Sequence, residues 1–198
     1  MTALRPYGQH ATLIDLPDPG LVGGIAAAAH RVRGVVEVVP GASTVLVRFT
    51  GTSRDSVDEA LAALEPEVVA VRSAQVVLPV RYDGADLAAV AAAAGLDVDA
   101  VVALHSSAEY TVRFCGFAPG FAYLDGLDPR LRLPRLASPR TSVPAGSVAV
   151  AAEFTGVYPR SSPGGWHLLG RTDAVLWDAD RDPPALLSPG TRVRFEAT

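Results

Sequence analysis

Hydrophobic and polar positions change period several times in the first third of the chain. Residues 11–16 alternate as a strand does, and residues 18–33 repeat at helical spacing, with Pro19 in the first turn and Gly34 past the end, where a left-handed cap costs least. β-Branched runs at 35–39 and 44–49, split by the turn pair Pro40-Gly41, predict a hairpin. Ser56-Val57-Asp58-Glu59 has the spacing of a capping box and opens a short helix to Leu64, after which residues 74–80 supply a fourth strand. The order β-α-β-β-α-β predicts an α+β, ferredoxin-like split βαβ domain over residues 1–84.

The pattern breaks at Tyr82-Asp83-Gly84. Two alanine-rich helices follow, at 86–94 and 97–105, separated by Gly95. From Glu109 onward short apolar runs at 110–114, 147–151, 167–169, 174–177 and 192–196 lie between glycine and proline turns, which predicts a small β-barrel or sandwich over residues 85–198. With 198 residues, 49% of them hydrophobic, the chain is long enough for two cores. Its longest uncharged apolar runs, 21–29 and 87–96, fall far short of the roughly 18 residues of a membrane span, and residues 1–16 lack the basic head and apolar run of a secretory signal. No membrane association is expected. Together with a lone cysteine, Cys115, these features predict a cytoplasmic protein.

The net charge of −4 and the scatter of basic residues provide no basic face for nucleic acid. All 17 basic residues are arginine. A Walker A loop, a Schiff-base lysine and a biotin-carrying lysine are thereby excluded on this chain, so ATP or carboxybiotin chemistry would need another architecture or a group delivered by another protein. His10, His30, His105 and His167 are dispersed, with no CxxC or HExxH spacing, and no metal site is expected. A single buried thiol at a strand end is ordinarily inert, which argues against Cys115 as a nucleophile.

Glycine, proline and aromatic residues crowd together between Phe114 and Arg171. Glycines let backbone amides approach a ligand, prolines fix loops, and aromatic rings provide flat walls; a barrel's turns and core would produce the same composition. Three segments carry more information: the run from Gly116-Phe117-Ala118-Pro119-Gly120-Phe121 to Leu124, Val143-Pro144-Ala145-Gly146-Ser147, and Ser162-Pro163-Gly164-Gly165-Trp166 leading into Gly170-Arg171-Thr172. With Leu104-His105-Ser106-Ser107, Thr155-Gly156-Val157-Tyr158-Pro159 and the Gly34-to-Gly41 hairpin, they resemble the family of 5-oxoprolinase B subunits, also called the carboxyltransferase C/D subdomain or allophanate hydrolase subunit 1 family.

The resemblance implies an α+β domain followed by a cyclophilin-like β-barrel. It also implies a subunit that acts with subunits A and C to open the lactam 5-oxoproline to glutamate with ATP, and that is inactive by itself. Phosphorylating the lactam oxygen would make a stable amide attackable by water, so no acyl-enzyme nucleophile is required. On the matching positions, His105 and Arg140 are the expected catalytic residues. The expected substrate-binding residues are Arg135, Phe117, Pro119, Gly120, Phe121, Gly164, Gly165 and Trp166. Arg135 and Arg140 suit a carboxylate or phosphate clamp and equally a surface ion pair; His105, at a helix end where the dipole favours a protonated ring, suits a proton shuttle and equally a cap. Ala152 and Phe154 stand where relatives more often have glycine and glutamine. Two further roles stay open within the resemblance: a non-catalytic histidine-kinase inhibitor, and a carboxyltransferase-type subunit of a urea carboxylase or allophanate pathway.

Overall fold

The computed structural model describes residues 3–66 and 75–198. The chain forms two compact units, Met1–Ala70 and Val71–Thr198. In the first unit the described elements are β1 (Ala3–Pro6), β2 (Ala11–Asp15), α1 (Val22–Ala29), β3 (Val35–Pro40), β4 (Thr44–Phe49) and α2 (Arg54–Ala62). The strands form an antiparallel sheet in the order β1-β2-β4-β3. Val22, Ile25, Ala26 and Ala29 of α1 share a core with Val45, Val47 and Phe49 of β4 and with Val57 and Leu61 of α2. The predicted β3–β4 hairpin is present, closed by the Gly41 amide on the Thr44 carbonyl at 2.7 Å. The second helix begins earlier than its pattern suggested. Ser53 is its cap and accepts from the Ser56 amide at 3.3 Å, so Ser56 is the capped residue rather than the cap.

In the second unit the elements are β5 (Gln75–Val80), α3 (Leu87–Ala94), α4 (Val98–Ser107), β6 (Tyr110–Cys115), β7 (Ala122–Asp125), β8 (Arg140–Val143), β9 (Ser147–Ala151), β10 (Phe154–Val157), β11 (Ser162–Gly164), β12 (His167–Arg171) and β13 (Arg192–Ala197). Seven strands form one sheet in the order β12-β9-β10-β7-β6-β13-β5, and β11 pairs with β8 separately. Beyond β5 the backbones of Arg81 and Arg171 exchange two hydrogen bonds of 2.9 Å, which brings the two outer strands of the sheet together and nearly closes it into a barrel. The approach is close enough to require glycine on both sides: a Cβ on Gly84 would lie 2.3 Å from the Leu168 carbonyl oxygen, and one on Gly170 2.3 Å from that of Arg81.

The strand expected to complete the first sheet is placed elsewhere. Gln75–Val80 pairs in parallel with β13 over six positions and buries Leu78 and Val80 in the barrel core, while Ala3–Pro6 takes the edge beside β2. Ala74 lies outside the described residues. Residues 174–177 also depart from expectation, forming a single bridge from Trp177 to Ala185 in place of a strand. Pro183 and Pro184 on the facing segment have no amide to extend a ladder. In α3, Leu87, Val90 and Ala91 are buried at helical spacing, as are Val101 and His105 of α4.

Ala152 heads the two-residue loop between β9 and β10 with φ of 49°, a left-handed conformation that disfavours a side chain. Ala152→Gly is therefore expected to stabilise the protein by about 0.5–1 kcal/mol, read as a higher urea midpoint at unchanged slope.

Candidate functional site

The loop between β6 and β7 is tied by three backbone hydrogen bonds: Ala118 N–H to Gly116 C=O at 2.8 Å, Phe121 N–H to Ala118 C=O at 3.0 Å and Gly116 N–H to Phe121 C=O at 3.2 Å. The first closes a γ-turn around Phe117, whose φ is 67°. This backbone is strained for a bulky residue, and it holds the ring 60% exposed. Phe121 is buried below it and meets Tyr123, Tyr158 and Trp166 edge-on at centroid distances of 5.1, 5.3 and 5.4 Å. Such T-shaped contacts align positive ring edges with negative faces and fix the relative tilt of the walls. Gly164 is dictated by this packing, because a Cβ there would lie 2.2 Å from the Tyr158 hydroxyl. The amide of Leu136 donates to Gly165 C=O at 2.8 Å and draws the Arg135 segment to the rim.

The result is a cleft of about 60 Å³ lined by Phe117, Phe121, Tyr123, Arg135, Tyr158, Pro163, Gly164, Gly165 and Trp166. Burial raises the pKa of both the Tyr123 and Tyr158 hydroxyls, opposed at Tyr123 by Arg135 and at Tyr158 first by a hydrogen bond with the Trp166 backbone and then by Arg135, so both are neutral donors at physiological pH. Arg135 makes no ion pair or hydrogen bond among the described residues. An aromatic slot with one unpaired guanidinium at its rim suits a small, flat anion. Among the described residues no group of three His, Cys, Asp or Glu side chains is placed to hold a metal ion.

The family model described as "Carboxyltransferase domain, subdomain C and D" matches residues 2–187. The chain belongs to this family. Within it, the chain is 42% identical to the 5-oxoprolinase B subunit of Escherichia coli O157:H7, over 95% of this chain and 92% of that protein. It is 37% identical to the 5-oxoprolinase B subunit of Haemophilus influenzae, over 96% of this chain and 95% of that one. Among solved structures, TTHA0988 superimposes with a TM-score of 0.81 at 36% identity, covering 99% of this chain; the chain spans only 40% of that protein's length.

In this carboxyltransferase C and D chain, six of the expected binding residues, Phe117, Phe121, Arg135, Gly164, Gly165 and Trp166, come together in the cleft. Pro119 and Gly120 do not. Pro119 lines a separate hollow with Pro159, Arg160 and Trp177, and Gly120 packs on Trp177. Tyr123, Tyr158 and Pro163 line the cleft without having been singled out, although each lies inside or beside a segment quoted for the resemblance. Phe154 belongs to the buried ring cluster, edge-on to Phe114 and Tyr123.

Neither residue expected to be catalytic lines the cleft. Arg140 is held by Asp86 at 2.6 Å and by the Trp166 carbonyl at 3.4 Å, so its guanidinium is engaged within the protein. His105 is fully buried on α4, stacked on Phe195 at 4.6 Å, with Nδ1 2.7 Å from the Tyr82 hydroxyl and Nε2 2.9 Å from Thr155 Oγ1. Thr155 donates its only hydroxyl proton to Ala149 C=O at 3.0 Å. It must then accept from Nε2–H, which leaves Nδ1 to accept from Tyr82. Each link fixes the next. The ring is a neutral core element, and burial lowers its pKa to about 3. Cys115 is equally unreactive, its thiol pushed up to about 11 by burial.

Because the unfolded chain binds this proton near 6.5 and the folded chain only near 3, the unfolded state takes up more protons between those values. Stability therefore falls as pH drops through that window. His105→Gln keeps one donor and one acceptor but cannot titrate; plots of urea-unfolding free energy against pH are expected to be flatter for this variant between pH 6.5 and 3 than for the parent.

Proposed function

We propose that this chain is the B subunit of an ATP-dependent 5-oxoprolinase complex that opens 5-oxo-L-proline to L-glutamate together with subunits A and C. The observation that carries the reading is the 42% identity to a 5-oxoprolinase B subunit along almost the whole of both chains. The cleft supports it on independent chemical grounds. 5-Oxoproline is a five-membered lactam that bears one carboxylate; its flat ring suits aromatic walls, and the carboxylate can take two parallel hydrogen bonds from Arg135. Neutral Tyr123 and Tyr158 hydroxyls are suited to hydrogen-bond polar atoms of the bound lactam.

The same reading treats the barrel as cyclophilin-like, the first unit as ferredoxin-like and the complex as cytoplasmic. The α1–α2 layer on an antiparallel sheet and the seven-stranded barrel support the first two. No single described helix is long and apolar enough to cross a membrane. A chain without lysine has no P-loop, so no step through ATP is assigned to these residues. The role of this subunit is to hold the lactam while phosphoryl transfer is supplied from elsewhere in the complex. Such a division makes the isolated chain inactive.

Two outcomes test the proposal. Glutamate release from 5-oxoproline and ATP is expected only when this chain is mixed with its A and C partners; a stable complex with no release would overturn the assignment. In the active mixture Arg135→Met is expected to raise KM for 5-oxoproline by about 10- to 100-fold, the loss of a charge-assisted clamp, while binding of the carboxylate-free lactam 2-pyrrolidone is unchanged.

A further inference from the structure

Asp86 opens α3, yet its carboxylate turns away from the helix. An aspartate in this position ordinarily accepts from amides of its own first turn, and here no such bond forms. Oδ1 instead accepts from Arg140 Nη2 at 2.6 Å, and Oδ2 from the Leu168 amide at 2.7 Å. The Asp86 amide completes the grip by donating to Leu168 C=O at 3.0 Å. Arg140, held in this way, reaches the Trp166 carbonyl at 3.4 Å. One carboxylate thus fixes the backbone on both sides of His167.

Trp166 and Leu168 flank His167, and both side chains belong to the buried ring cluster below the cleft. The indole is a wall of that cleft. Its other contacts, edge-on to Phe121 at 5.4 Å and to Tyr123 at 5.5 Å, are apolar ring contacts that fix tilt better than height. Hydrogen bonds to the flanking peptide groups are directional and do fix height. A charge so nearly removed from water, with a side-chain exposure of 12%, is tolerated because both oxygens are satisfied and a guanidinium neutralises it. The arrangement also withdraws Arg140 and leaves Arg135 as the cation facing the cleft.

We infer that Asp86 is the positioning residue of the cleft: through the Leu168 amide and through Arg140 it sets the height of the Trp166 wall against which the ligand ring lies. Its consequence for turnover rests on the cleft being the 5-oxoproline site, whereas the wall itself can be tested without that reading. In a Trp177→Phe background, Trp166 is the remaining tryptophan of the two. There Asp86→Asn, which keeps an acceptor for the Leu168 amide but loses the charge that holds Arg140, is expected to shift emission to longer wavelength and to raise acrylamide quenching several-fold.

Arg140→Met, which leaves the Asp86–Leu168 bonds in place, is expected to act in the same direction, and the double variant to add little. In the reconstituted complex Asp86→Asn is expected to raise KM for 5-oxoproline about tenfold with kcat within about twofold, and Asp86→Glu to recover part of the loss. A lowered melting temperature with unchanged Trp166 quenching and unchanged KM would overturn the inference and reduce Asp86 to a structural ion pair. Altered quenching in a mixture with no oxoprolinase activity would uphold the positioning role and count against the assigned reaction alone.

Discussion

The second unit depends on bringing two backbones together at the seam between β5 and β12. A seven-stranded sheet left open would present two rows of unpaired amides and carbonyls. Here Arg81 and Arg171 pair across the gap, and the chain runs on from Arg81 through Gly84 to Asp86 while staying bonded to Leu169 and Leu168. The absence of side chains at Gly84 and Gly170 permits that approach. Closure of the barrel and placement of the Trp166 wall are consequently one structural event: the strand that seals the sheet is followed at once by the carboxylate that holds the wall.

Polar groups in this unit divide into two populations with different duties. Those around His105 are matched by one another. Tyr82, His105, Thr155 and the Ala149 carbonyl form one directed series of hydrogen bonds, and Tyr110 donates to the His105 carbonyl at the end of α4. Matching of this kind specifies a core and leaves nothing over for a ligand. Arg135, at the rim of the cleft, is the opposite case, a cation with aromatic neighbours and no hydrogen-bond or ion-pair partner among the described residues. Residue type alone does not separate the two populations. Arg135 and Arg140 sit five positions apart, and only the second has a carboxylate waiting for it.

The sequence carried much of this in its periodicity and its punctuation. The hairpin of β3 and β4, the two alanine-rich helices and the strands at Tyr110, Ser147 and Arg192 follow directly from spacing and turn residues. Long-range pairing was less legible. Gln75–Val80 reads equally well as the last strand of one sheet or the first of the next, and its partner β13 lies more than a hundred residues away. At the site, the glycine- and aromatic-rich segments pointed to the right surface, but His105 could not be distinguished from a surface cap by sequence. Its neighbours Tyr82, Thr155 and Phe195 come from distant elements. Asp86 was hidden for the same reason, since aspartate before a helix is ordinarily a cap and its real partners are 54 and 82 residues downstream.

The make-up of the cleft has a further consequence for how acidity affects this protein. Its titratable lining consists of an arginine and two tyrosines whose burial moves them further from physiological pH. His105, which would ordinarily sense the neutral range, is locked away in the core. No carboxylic acid, histidine or cysteine lines the cleft, so a bell-shaped rate profile in the assembled complex would be the signature of groups outside it.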